Sequence, residues 1–270
     1  MIDVKTANVK YMEGDLSGAA ADYLRGAEEG DALCAFNYAY CLFHGRGVER
    51  DPAEARRFFV YAEEQVGEAC YNLACMYISG VGVKKNYKKA YDYMHKAAEN
   101  GVLEAQLFLG VAHVMGSIFE PDICFISMIP YHTPEHMREG MLLEGDISVE
   151  EFEADDEARV AAVRQDASAA LEWFRESARH SGEYCEEMAA KGKYLYARCF
   201  IDGVGTDFDR DRGNALMRGA AASGSYEALD YLTTRAPYVL DGIKDKKFLS
   251  VIEEMKQHRE LLGGDVGFDQ

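Results

Sequence analysis

"ACYNLACMYISGVGVKKNYKKAYDYMHKAAENG", Ala69 to Gly101, sets two apolar stripes on either side of a glycine-punctuated turn. Ala69, Leu73, Ala74 and Tyr77 fall at i, i+4, i+5 and i+8, the spacing of one face of a helix. Tyr87, Ala90, Tyr91, Met94, Ala97 and Ala98 continue that spacing after Asn86, whose side chain suits a helix N-cap. The stretch predicts a helical hairpin. Its turn, "GVGVKKN" (Gly80 to Asn86), has a counterpart in "GRGVERD" (Gly45 to Asp51). A loop that cradles phosphate follows a strand and has no reason to recur, so these glycines read as helix terminators with positive φ.

The recurrence is systematic. A shift of 35 residues lays Asn37 on Asn72, Ala39 on Ala74, Gly45 on Gly80, Gly47 on Gly82, Val48 on Val83, Ala55 on Ala90 and Ala62 on Ala97. A shift of 123 residues lays Gly80 to Gly101 on "GVGTDFDRDRGNALMRGAAASG", Gly203 to Gly224. "GDLSGAAADYLRGAEEG" (Gly14 to Gly30) reads as a second helix and "EAQLFLGVAHVMG" (Glu104 to Gly116) as a first helix. One hairpin cannot bury its apolar face alone, so the units must stack.

The pattern A-x-x-x-L-[GA]-x-x-Y-x-x-G-x-G-V, then Asp or Asn, then A-x-x-[YW]-x-x-x-A-A-x-x-G resembles the Sel-1-like repeat family, relatives of the tetratricopeptide repeats. The resemblance implies an all-α, right-handed α/α superhelix, a solenoid whose concave groove, lined by the first helix of each hairpin, takes a protein or peptide. It implies a non-catalytic scaffold. We expect a single solenoid domain: a partial repeat over 1–30, repeats over 31–66 and 67–101, an interrupted repeat over 102–182, a repeat over 183–224, and a half repeat with capping helix over 225–270.

The interruption is visible in the spacing. Gly80 to Ala90 spans 10 residues, whereas Gly116 to Ala170, its counterpart in "ASAALEWFRESARHSG", spans 54. About 44 residues, within roughly 117–160, are therefore inserted in one repeat. The insert opens with an apolar, proline-punctuated stretch that either packs on the solenoid or forms a partner-binding lid. From Glu139 to Glu157 it carries nine carboxylates and no base, either a solvated face or a surface that steers a basic partner. Ser148 and Glu151 form a capping box, from which a helix runs either through to residue 180 or only to a fresh N-cap at Asp166.

With 47 acidic and 29 basic residues the net charge is −18, which disfavours nucleic acid and anionic membrane surfaces as partners. No run approaches the roughly 18 apolar residues of a spanning helix, and the start lacks a signal-peptide core, so we expect a cytoplasmic protein. The seven cysteines have no C-x-x-C or metal-ligand spacing and read as reduced, buried thiols. The disulfide-stapled members of the family place a cysteine pair eight residues apart; here Cys70 has Ala62 eight residues before it, which argues against that subclass.

The groove positions are those on each first helix that face away from the Ala69, Leu73, Tyr77 side. They are Asn72, Cys75, Met76 and Ser79, with repeat equivalents Asn37, Tyr40, Cys41 and His44. In the late repeat they are Leu195, Arg198, Cys199 and Asp202. Asn37, Tyr40, His44, Asn72, Met76, Ser79, Arg198 and Asp202 form the candidate peptide-binding set. The equivalents Phe108, Val111 and Met115 are expected to be buried beneath the insert. No catalytic group and no cofactor is expected, and the chain is expected to be a monomer or weak dimer. The alternative is a hydrolase or metal-dependent site between insert and groove, using His132 and His136, four residues apart, with Asp122, Glu135 or Glu139. Pro134 between the histidines argues against that helix-face pair.

Overall fold

Helices follow wherever the alanine-rich stripes predict them, and no strand occurs among the described residues. The computed structural model describes residues 4–118, 149–181, 186–240, 249–250 and 253. The described residues up to 165 form one compact unit, and those from 166 onward a second.

The first unit contains α1 (Val4–Met12), α2 (Leu16–Glu28), α3 (Ala32–His44), α4 (Pro52–Ala62), α5 (Gly67–Ser79), α6 (Tyr87–Glu99), α7 (Leu103–Met115) and α8 (Val149–Ala162). From α1 to α7 each helix packs on the next, and α8 packs on α6. The second unit holds α9 (Ala167–Ser177), α10 (Glu186–Asp202), α11 (Arg210–Ala222) and α12 (Tyr226–Asp230), again packed in chain order. Both are stacks of antiparallel helical hairpins.

The predicted stripes are the buried ones except at Tyr91, which is partly buried. Ala69, Leu73, Ala74 and Tyr77 of α5 are buried, as are Tyr87, Ala90, Met94, Ala97 and Ala98 of α6. Small residues dominate the interhelical seams: Ala35, Ala39, Ala55, Ala62 and Ala69 pack with Phe59 and Leu73 in one cluster. Close approach of the helices makes that cluster dense without large side chains.

Each G-x-G turn has two jobs. The first glycine, Gly45, Gly80 or Gly203, sits at φ near +70° and ends its helix, as does Gly116. The second glycine lets two hairpins touch. A Cβ on Gly47 would lie 2.1 Å from the Leu16 carbonyl oxygen, one on Gly82 2.7 Å from that of Pro52, and one on Gly205 2.0 Å from that of Ala167. Leu16, Pro52 and Ala167 are the first residues of α2, α4 and α9. The second glycine thus seats each turn on the start of the second helix before it.

The interrupted repeat keeps its register across the insertion. A Cβ on Gly45 would meet Arg50 and one on Gly80 would meet Lys85, five residues on; one on Gly116 would meet Gln165, forty-nine residues on. The difference is the forty-four residues inferred from spacing. Asp166 then caps α9 by accepting from the Ser168 and Ala169 N–H groups, so the helix after the insert is broken there rather than continuous. The first part of the insert and Ser148 lie outside the described residues.

Candidate functional site

At the position of the second glycine, two residues after Gly116, stands Ile118, which is buried. The seat it would take, by analogy with Gly47 and Gly82, is the start of α6 at Tyr87. α8 packs instead on the Tyr87 side chain. The Tyr87 hydroxyl donates to Asp155 Oδ1 at 2.5 Å, Arg159 Nε donates to Asp155 Oδ2 at 2.8 Å, and the Arg159 guanidinium lies 5.0 Å from the centre of the Tyr87 ring. The Ile118 N–H donates to the Arg159 carbonyl at 3.3 Å, tying α8 to the end of the α7 turn.

His113 and Gln165 close the loop. His113 Nδ1 lies 3.0 Å from the Arg164 carbonyl, its Nε2 lies 3.3 Å from the Tyr91 hydroxyl, and Gln165 Nε2 donates to the Val114 carbonyl at 2.8 Å. A carbonyl can only accept, so Nδ1 carries the proton and Nε2 accepts from Tyr91.

Burial opposes the charge on Asp155, but the Tyr87 and Arg159 hydrogen bonds and the Arg159 and Lys85 charges outweigh it and hold the carboxyl below its usual range. A folded value below the unfolded one means that the contribution is present above the unfolded value and is lost as pH falls through the folded one. Asp155→Asn is expected to cost about 1–2 kcal/mol at neutral pH. It is also expected to raise amide exchange selectively in α8, and the difference from the parent should vanish on acidification. Equal α8 exchange in parent and variant at neutral pH contradicts this role.

Of the expected groove residues, Tyr40 and His44 come together on α3 with ring centres 4.4 Å apart, and Phe43 packs edge-on to His44 at 5.1 Å. Arg46, in the turn, lies 5.7 Å from the centre of the Tyr40 ring and donates from Nη1 to the Tyr11 hydroxyl of α1 at 2.7 Å. Arg50 Nε donates to the Phe43 carbonyl at 3.0 Å. Partial burial first, then the charges of Arg46 and Arg50, hold His44 below the usual imidazole range. His44 is therefore neutral at pH 7, and the two arginines supply the charge. Spacing pointed to Tyr40 and His44 but not to Tyr11, Arg46 or Arg50. The only available signal was that "GRGVERD" carries arginines in a turn whose neighbour has Val81 and Lys85.

Asn37 is half-buried one turn before Tyr40. On α5, Asn72 Nδ2 donates to the Glu68 carbonyl at 2.9 Å, and the Ser79 hydroxyl donates to the Cys75 carbonyl at 2.9 Å. Both side chains are half-committed to their own helix. Met76 is a correction: it is 1% exposed and belongs to the core cluster of the first unit, so it is not a surface contact. α5 is covered on one side by α4 and on the other by α6, which leaves a narrower free face than its periodicity implies. Phe108 and Val111 of α7 are buried, while Met115 is only partly so; residues 119–148 of the insert expected to cover them lie outside the described residues.

In the second unit Arg198 donates from Nε to Asp202 at 2.7 Å and from Nη1 to the Tyr194 hydroxyl at 2.9 Å. Burial opposes its charge, yet Tyr194 and Asp202 hold the guanidinium above its ordinary range.

The described cysteines, Cys34, Cys41, Cys70, Cys75 and Cys199, are not in disulfides. Burial pushes Cys41 and Cys70 up to about 11, so neither is a thiolate at neutral pH. Among the described residues no cluster of three or more His, Cys, Asp or Glu is placed to hold a metal. His132, His136, Asp122, Glu135 and Glu139 lie outside them. No helix among the described residues is long and apolar enough to cross a membrane.

Stacked helical hairpins with G-x-G turns and an exposed strip on the first helices define a helical-repeat protein. The chain carries Sel1 repeats: the sequence model of the Sel1 repeat matches residues 32–65, 67–102 and 161–181, the last beginning in the final turn of α8. A Sel1 repeat protein from Oxalobacter formigenes shares the fold, with a TM-score of 0.58 and 20% identity over 82% of this chain and 49% of that one. The ERAD-associated E3 ubiquitin-protein ligase component HRD3B of Arabidopsis thaliana is 32% identical over 99 residues. That match spans 36% of this chain and 15% of the relative's length, so the chain covers a small part of it. Sel1 repeats are in general scaffolds for protein–protein interaction.

Proposed function

We propose that this chain is a non-catalytic scaffold that binds a protein or peptide on the exposed face of its first helices, centred in the first unit on Tyr40 and His44 with Asn37, Asn72 and Ser79 along the same face. The observation that carries the reading is the constellation of Tyr11, Tyr40, His44 and Arg46. Aromatic rings and a guanidinium are held in place by one another at an accessible edge, while Ala32, Cys34, Ala35, Ala39, Cys41 and Leu42 of α3 are buried. Rigid aromatics and arginine contribute most where a partner is recognised. Arg198 and Asp202 offer an analogous polar pair on the first helix of the second unit.

Steering of a basic partner by the acidic run remains part of this proposal for 139–157 alone. Asp155, one of those nine carboxylates, is turned onto Tyr87 and Arg159.

A photo-crosslinking side chain at residue 40 tests the surface. Crosslinking of a defined partner from residue 40, with none from residue 61, which is exposed on the second helix α4, is the expected result. Equal crosslinking from both positions overturns the assignment.

A further inference from the structure

We infer that the α3 end of this surface takes a carboxylate-rich segment of a partner protein, bound by Arg46 and Arg50 beside the rings of Tyr11, Tyr40 and Phe43. The inference rests on the reading that this face is a recognition surface, and it assigns the chemistry of what is recognised.

Charge pairing supplies the first argument. Six cations of the first unit have a carboxylate partner within the fold: Lys10 and Arg25 with Asp22, Arg57 with Glu54, Lys88 with Asp92, Lys96 with Glu63 and Glu64, and Arg159 with Asp155. Arg46 and Arg50 have no such partner among the described residues, although the whole chain carries a net charge of −18. Glu49, between them in sequence, is exposed and reaches neither within ion-pair distance.

Geometry supplies the second. Arg46 is held by neutral groups, the Tyr11 hydroxyl at 2.7 Å and the Tyr40 ring at 5.7 Å, while Arg50 is held by a backbone carbonyl and the Phe43 ring, 6.0 Å from its guanidinium. Both guanidinium planes are positioned without being neutralised. Fixing a planar fork before binding lowers the ordering cost of a carboxylate partner and favours its two-point hydrogen bonding.

The repeat supplies the third. Lys85 stands against Gly80 as Arg50 stands against Gly45, so the position carries a cation in both repeats. The Lys85 charge acts on Asp155 of α8, which leaves the Arg50 position as the one open to an acidic partner.

The probe is a short, fluorescently labelled Asp/Glu-rich peptide titrated onto the full chain at low salt, with a Lys-rich peptide of the same length as control. The expected result is saturable binding that weakens as salt rises. It should fall about tenfold or more in the double variant Arg46→Gln, Arg50→Gln, and be unchanged in Arg57→Gln, whose arginine is already paired. The His44 ring resonances are expected to shift during the titration. Far-ultraviolet circular dichroism and the melting temperature establish that the double variant is folded.

Absence of saturable binding, or equal binding by parent and double variant, overturns the inference. If residue 40 still crosslinks a partner in that case, the recognition surface stands and only its charge preference is wrong; loss of both results removes both.

Discussion

Gly47→Ala is expected to destabilise the chain by roughly 2–5 kcal/mol, whereas Gly101→Ala should cost only about 1–2 kcal/mol. Both glycines have positive φ, +75° and +83°, so both substitutions carry the strain of an L side chain in the left-handed region. They differ in what surrounds the new methyl group. At Gly101 nothing lies within 4 Å of it, while at Gly47 it would meet the Leu16 carbonyl oxygen at 2.1 Å, its carbon at 2.3 Å and the Ser17 nitrogen at 2.7 Å. These are backbone atoms at the start of α2 and cannot rotate away, so the turn must lift off the preceding hairpin. Urea denaturation of the two variants checks the difference. Equal losses would show that the second glycine serves only its own backbone conformation and not the stacking of hairpins.

Phe59→Ala is expected to cost about 3–5 kcal/mol, while Tyr61→Ala, two residues along the same helix, should remain within about 0.5 kcal/mol of the parent. Phe59 is almost wholly buried in the cluster that joins α3, α4 and α5, and its ring centre lies 5.8 Å from that of Phe36. Its neighbours there are largely alanines and short backbone seams, which cannot collapse into the space that a phenyl ring leaves. Tyr61 is 53% exposed. A small difference between the two variants in denaturant midpoint would mean that the alanine-lined seam relaxes more freely than its packing implies.

Much of this architecture could be read from spacing. The 35-residue recurrence, the alanine stripes and the caps at Asn86 and Asp166 all follow from local rules, because a helix buries one face and must satisfy its own ends. The spacing also marks an insertion after Gly116, and Gln165 lies against Gly116 as Arg50 lies against Gly45 and Lys85 against Gly80. Met76 was misplaced because periodicity reports the face that a helix turns towards its main neighbour. It does not report how many neighbours cover the remaining circumference.

The binding edge was legible only in part. Tyr40 and His44 fall one turn apart on α3, so their proximity is local; Arg46 meets Tyr11 across 35 residues, and Tyr87 meets Asp155 across 68. By itself the sequence determined the repeat, its helices, its turns and the place where the repeat is broken, since each depends on contacts within a hairpin or on a period that stacking imposes. Only the tertiary structure decided that α8 packs on the Tyr87 side chain, and that two arginines stand positioned and uncompensated at the α3 edge. Such choices depend on which side chains of different hairpins arrive at the same point in space, and no local spacing encodes that.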